Sequence, residues 1–409
     1  MSFVLPRIPP VFSIASFSVT PFSIALVISL ISLGAAASIT SAQAEVMLPE
    51  QQPNSPTMQD ELNQQLKQKQ QAAPPDTPLG DDMADCVDND DPQLRIVACT
   101  HAIEGHLVSG DQLAAAYFNR AIGYTLIAKY DAAIRDFGET LKLKPGLPVA
   151  YIERGKAQWR ANRPVAAKQD FDAAIAKDPD NVDARYLRAW VESTQNQDAQ
   201  AIADLNDVLA KHPDHFDALL DRGGLLIRNG RFDDAIKDFS AMLKIDPKSA
   251  AAFYNRGRAR SAKGDFAGAA EDFAGAMKAW NDNPYAALRL HLAREFQAQS
   301  KQKGGNAAGD PAALKAATDK LLDAQWPAQI LNYFQNKMDA AAIFKLIDSD
   351  YPKQAPGLRC EINYYLGQDA LLKGDRKAAS DYFSAAVATN STSTIEYIDS
   401  GLALKAMKK

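Results

Sequence analysis

Small, large apolar and helix-stopping residues recur along the middle of this chain every 34 residues. Alanine returns at Ala133, Ala167, Ala201, Ala235 and Ala269, and four residues after each stands Phe137, Phe171, Leu205, Phe239 or Phe273. The first four segments close on Pro145, Pro179, Pro213 and Pro247, and the fifth on Asn281. Numbered from Ala114, Pro148, Val182, Phe216 and Ala250, these are positions 20, 24 and 32 of a repeat. The pattern predicts pairs of helices. Alanine sits where the two helices cross closely, the large residue fills the space between hairpins, and proline stops the second helix. Gly155, Gly223 and Gly257 at position 8 predict a matching close approach from the first helix, and alanine also recurs at position 3 (Ala116, Ala150, Ala184, Ala218, Ala252).

A period of this length with this small/large/proline pattern resembles the tetratricopeptide (TPR) repeat. The expected fold is all-α, a TPR helical-hairpin solenoid wound as a right-handed superhelix. A second period runs through it. Arg120, Arg154, Arg188, Arg222 and Arg256 hold position 7, and Asp136, Asp170, Asp204, Asp238 and Asp272 hold position 23. A ligand-binding charged ladder and a structural Arg–Asp pair between neighbouring helices both fit. The later unit from Cys360 has Leu366 and Tyr382 at the two places, and loss of both partners together is what a mutual pair predicts.

The expected organisation is a signal peptide over 1–44, a disordered Gln/Pro-rich linker over 45–82, and a degenerate half-repeat over 83–113. Five tandem repeats follow over 114–283, then an irregular helical region over 284–355, and a final hairpin with a capping helix over 356–409. The signal rests on the apolar run Phe22–Leu33 and the small-residue site Ala42-Gln43-Ala44. An uncleaved anchor is the alternative, since Phe22–Ile39 is about long enough to span a bilayer. The expected location is periplasmic, with membrane contact only if the signal is retained. Net charge is −5 with no Lys/Arg stripe, so nucleic acid is not an expected partner.

Cys86 and Cys99 fall on facing sides of a hairpin when the repeat is extrapolated one period backwards, and export permits a disulfide between them. A metal-binding or redox pair is the alternative, but the spacing is not Cys-x-x-Cys. Cys360 is left as a buried small hydrophobe. His212, His215, Asp214 and Asp217 lie at a turn between repeats, where polar residues are ordinary, and no metal, cofactor or catalytic constellation is expected.

In such a solenoid the first helices line the concave face through positions 2, 5, 9 and 12. That register selects Phe118, Ile122, Ile152, Lys156, Trp159, Tyr186, Trp190, Leu220, Ile227, Tyr254 and Arg258, with Asp183 and Asp217 at position 2. So apolar a strip is either a groove for a peptide anchored on its aromatics or a face covered by the chain's own C-terminal helices or a second subunit.

After Asn283 the period breaks. The segments Tyr285-Ala286-Ala287-Leu288, Trp326-Pro327 and Cys360-Glu361 through Tyr364-Tyr365-Leu366-Gly367-Gln368 resemble the NlpI-type periplasmic TPR proteins of Gram-negative envelopes. Gly374-Asp375, Ala378-Ala379, Tyr382-Phe383 and Ile395-Glu396-Tyr397 continue that resemblance. It implies a homodimeric, non-catalytic adaptor bringing a C-terminal-processing protease together with peptidoglycan hydrolases. This chain departs from the family in having no lipobox cysteine near its signal. The expected function is therefore an exported scaffold that binds other cell-envelope proteins. A purely structural dimeric organiser, or an enzyme with its site in 284–357, are the alternatives.

Overall fold

The computed structural model describes residues 79–280, 283–301, 311–320 and 326–408. The export signal, the linker up to residue 78, Asn281, the Gly304-Gly305 loop and the proposed cap Asp310 lie outside the described residues. The described residues contain nineteen helices and no strand, so the chain is all-α.

They form two compact units that divide after Asp180. The first holds three hairpins: α1 (Leu79–Asp88) with α2 (Pro92–Glu104), α3 (Gly110–Leu126) with α4 (Tyr130–Leu143), and α5 (Pro148–Arg160) with α6 (Pro164–Lys177). Helix α1 begins at Leu79, inside the span read from sequence as linker. The second unit opens with three more hairpins. These are α7 (Val182–Thr194) with α8 (Asp198–Lys211), α9 (Phe216–Arg228) with α10 (Phe232–Ile245), and α11 (Ala250–Lys263) with α12 (Phe266–Ala279). It continues through α13 (Pro284–Lys301), α14 (Pro311–Thr318), α15 (Ala328–Phe334) and α16 (Ala340–Asp350). The hairpin α17 (Ala355–Leu372) with α18 (Arg376–Ala388) and the terminal α19 (Ile395–Met407) complete it.

Three of the first helices, α7, α9 and α11, are started by the last residue of the preceding repeat. The side chains of Asn181, His215 and Ser249 accept from the backbone N–H groups of Ala184, Ala218 and Ala252. Such caps satisfy amides that the helix itself leaves unpaired. His215 does this through Nδ1, at 3.2 Å.

The large residue at position 24 shares a buried cluster with residues of the next hairpin, as Phe137 does with Ala150 and Ala157. It also lies over position 8 of its own hairpin. A Cβ added at Gly223 would stand 2.6 Å from the Phe239 ring, and one at Gly367 2.6 Å from Phe383. At these two positions a methyl fits only if the ring shifts, whereas in the first repeat Ala121 at position 8 already shares a buried cluster with Phe137.

The Arg–Asp ladder is a set of pairs inside hairpins. In all five, Nε and Nη2 of the arginine reach both carboxylate oxygens of the aspartate sixteen residues later, at 2.6–3.2 Å. All five aspartates are buried, and two-toothed pairing with arginine is what makes burying them tolerable. Hydrogen bonding to Asp170 raises the Arg154 pKa above its usual value, with burial opposing. Arg222 and Arg256 also reach back through Nη1 to Asn206 and Ser240 of the preceding repeat, at 2.8 and 3.1 Å. The pair thus fixes each hairpin and, at these two places, ties it to its neighbour.

Candidate functional site

The eleven residues of the expected inner strip meet three fates. In the first unit Phe118, Ile122 and Ile152 are buried rather than open. Phe118 packs edge-on against Phe137 with ring centres 5.5 Å apart, and it and Ile122 belong to the hairpin core. Phe118 and Ile122 of α3 are therefore corrected from groove to core, and Ile152 of α5 is likewise buried.

In the second unit Leu220, Ile227, Tyr254 and Arg258 are also buried, and the terminal helix α19 supplies the cover. Leu402 of α19 packs on the cluster containing Leu220 and Ile227. Asp399 accepts from Arg258 at 2.8 and 3.3 Å. These four are therefore corrected from open groove to occupied groove.

At the centre of the seal stands Arg289 of α13, 4 % exposed. Its Nε donates to Tyr254 Oη at 2.8 Å and its Nη1 to Tyr364 Oη at 3.1 Å. It pairs with Asp399 at 2.9 Å and Glu396 at 3.1 Å. Burial works against its charge, yet the two phenols and Asp399 hold its pKa well above the usual range. Burial likewise opposes the charge on Asp399, but Arg258 and Arg289 outweigh it and keep that carboxyl below its usual range. A buried cation so fully partnered is stable only while α19 is seated.

Beside this network Glu361 Oε2 accepts from Trp326 Nε1 at 2.8 Å and Tyr285 Oη at 3.0 Å. Burial first, then the nearby Glu396, pushes its pKa up to about 8 against those hydrogen bonds. Burial also lowers His291 to about 4, with Asp369 opposing. Tyr285, Trp326, Glu361, Tyr364 and Glu396 all lie in the segments that carried the C-terminal resemblance. Their convergence on Arg289 and Glu361 was not legible, because the hydrogen bonds of that network span up to 141 residues. Arg289 and Asp399 carried no signal of their own.

Four strip residues keep partial exposure: Lys156 and Trp159 on α5 in the first unit, and Tyr186 and Trp190 on α7 in the second. Lys156 pairs with Glu153 at 2.8 Å. Tyr186 donates to Asp221 at 2.8 Å and lies against the His215 ring at 5.1 Å. Burial, then the Asp221 carboxylate, moves its phenol far above the usual range. Tyr186 is thus a pinned, partly exposed ring. Asp183 is exposed and Asp217 half-buried.

Cys86 and Cys99 are joined by a disulfide that links α1 to α2, and Cys360 is buried and free. Thr394 Oγ1 lies 3.3 Å from Cys360 Sγ, and burial raises that thiol's pKa.

Family models of the tetratricopeptide repeat match residues 158–220, 194–250 and 220–284. None of the curated proteins matches the chain. Among solved structures the chain is similar to YrrB, described as a TPR protein with an unusual peptide-binding site, at 25 % identity and TM-score 0.41. That match covers 46 % of this chain and 95 % of the other. It is also similar to the C-terminal part of a TPR repeat-containing protein from Cytophaga hutchinsonii, at 15 % identity and TM-score 0.44, covering 69 % and 98 %. MamA from Desulfovibrio magneticus RS-1 gives 20 % identity and TM-score 0.40, covering 42 % and 98 %. With the period, the glycine–phenylalanine approach and the family match together, the hairpins over residues 158–284 are of the tetratricopeptide-repeat type.

Proposed function

We propose that this chain is an exported scaffold that binds other cell-envelope proteins through the part of its inner strip that its own helices leave open. The observation that carries this reading is the survival of partly exposed aromatics, Trp159, Tyr186 and Trp190, on α5 and α7, while Phe118, Ile122, Leu220, Ile227 and Tyr254 of the other first helices are buried. Large flat rings already held in place bind a partner with little further loss of freedom, which is why aromatics dominate binding energy at interfaces. TPR hairpins as a class serve protein binding, and the repeats here support that role. The finer reading follows the C-terminal resemblance: a periplasmic adaptor that brings a processing protease together with peptidoglycan hydrolases.

The test compares capture from envelope extracts by the wild-type chain and by Trp159→Ala and Trp190→Ala. Each substitution should reduce recovery of the captured proteins several-fold, with helical signal unchanged and Tm within a few degrees. Unchanged capture by both variants would remove the strip from the function. A large fall in Tm would return these rings to folding.

A further inference from the structure

Helix α19 packs mainly on its neighbours α18 and α17, but it also meets α9 and α11, and its Glu396 and Asp399 reach Arg289 of α13, so this face already receives a helix. Its recognition chemistry is specific. Arg258 and Arg289 receive two carboxylates one helical turn apart, Glu396 and Asp399, and the next turn presents Leu402 to the apolar cluster. Spacings of three residues place all of these on neighbouring faces of one helix.

The way α19 is held suits exchange. Its described side chains are mostly half-exposed, with only Glu396 and Ser400 buried. The Ser400 hydroxyl has no hydrogen-bond partner among the described residues. The polar contacts of α19 with α11 and α13 are the ion pairs of Asp399 and Glu396, while Ile395, Ala403, Leu404 and Met407 pack against the apolar cluster that holds Tyr364 and Phe383. A helix that replaces it must match this charge pattern, because Arg289 needs its anions wherever they come from. Residues 389–394 link α19 to α18.

We propose that α19 is an internal stand-in for a partner helix, and that the face it covers is a second protein-binding site. The partner is an amphipathic helix carrying two acidic residues three apart, followed three residues later by a large aliphatic one. Binding would proceed by α19 leaving and the partner's carboxylates replacing Glu396 and Asp399 on Arg258 and Arg289. This site is separate from the open aromatics, and its test reads neither Trp159 nor Trp190.

The probe is a labelled synthetic peptide of residues 393–408, offered to the full chain. Glu396→Gln with Asp399→Asn leaves Arg289 without anions and should free α19, seen as faster hydrogen exchange confined to that helix. Leu402→Ala frees it without touching the charges. Because apparent affinity rises with the fraction of open receptor, both variants should bind the peptide at least ~10-fold more tightly than wild type. Adding Arg258→Ala should cancel the gain, and so should a peptide carrying Gln and Asn at the two acidic places. Helical content is followed throughout. Free α19 with no gain in peptide binding overturns the proposal, as does α19 protection unchanged in both variants. Light scattering that finds the wild-type chain dimeric through exchanged α19 helices also overturns it, since the occupant would then be a second copy.

Discussion

Glu361 carries a pH signature that belongs to one side chain. Its pKa of about 8 in the folded chain lies above the ordinary 4.5, chiefly through burial and then through Glu396. Between those values the folded chain keeps a proton that the unfolded chain has released. Its contribution to stability is complete below about pH 4.5 and is lost as pH rises through 8, at no more than about 1.4 kcal/mol per pH unit. Histidine 291 acts in the other direction, because its lowered pKa of about 4 costs stability only as pH falls below 6.5. The interval from pH 6.5 to 8 therefore isolates Glu361 from His291. Melting temperatures across it should fall in the wild type, and the fall should be shallower in Glu361→Gln, which keeps an acceptor for Tyr285 and Trp326. Parallel slopes in the two proteins would rule out a protonated Glu361.

At the scale of the hairpin, the approach of position 8 to position 24 makes the sharpest prediction. Gly223→Ala places a methyl 2.6 Å from the Phe239 ring. The hairpin must open or the ring must leave its rotamer, at a cost of about 1–3 kcal/mol. The repeat of α7 and α8 solves the same problem differently, with Ala189 and Leu205 in one buried cluster. Gly223→Ala combined with Phe239→Leu should therefore recover part of the loss in urea unfolding. A single variant as stable as wild type would show that the contact is slack. This element was readable from sequence because all its parts lie within one period. Glycine, phenylalanine, arginine and aspartate each recur where the geometry needs them. The fate of the inner strip was not readable. Tyr186, Leu220 and Tyr254 share position 5, yet Tyr186 stays partly exposed while α19 and α13 cover the other two. Register places a residue on a face of its own helix, and what comes to lie on that face is decided elsewhere in the chain.

For the whole molecule, the ends are held by means the repeats do not use. The α1–α2 hairpin has a small core around Met83, Ala98, Ala102 and Leu113, and its disulfide closes a loop of 13 residues. A loop of that size contributes about 3 kcal/mol in the chain-entropy model. Reduction should loosen α1 and α2 and expose them to protease while hydrogen exchange in α7–α12 stays unchanged. Uniform loosening of every hairpin would contradict a local role. The other end closes differently. Ladder pairs join residues 16 apart, whereas Arg289 meets Glu396 across 107 residues and Arg258 meets Asp399 across 141. Contacts between near neighbours in sequence form first, since each closes a short loop, and distant ones follow. The hairpins can therefore assemble as they emerge during synthesis, but Arg289 stays without its anions until α19 has been made. A chain interrupted anywhere before Ile395 would carry well-formed repeats and an unsealed cation in its interior.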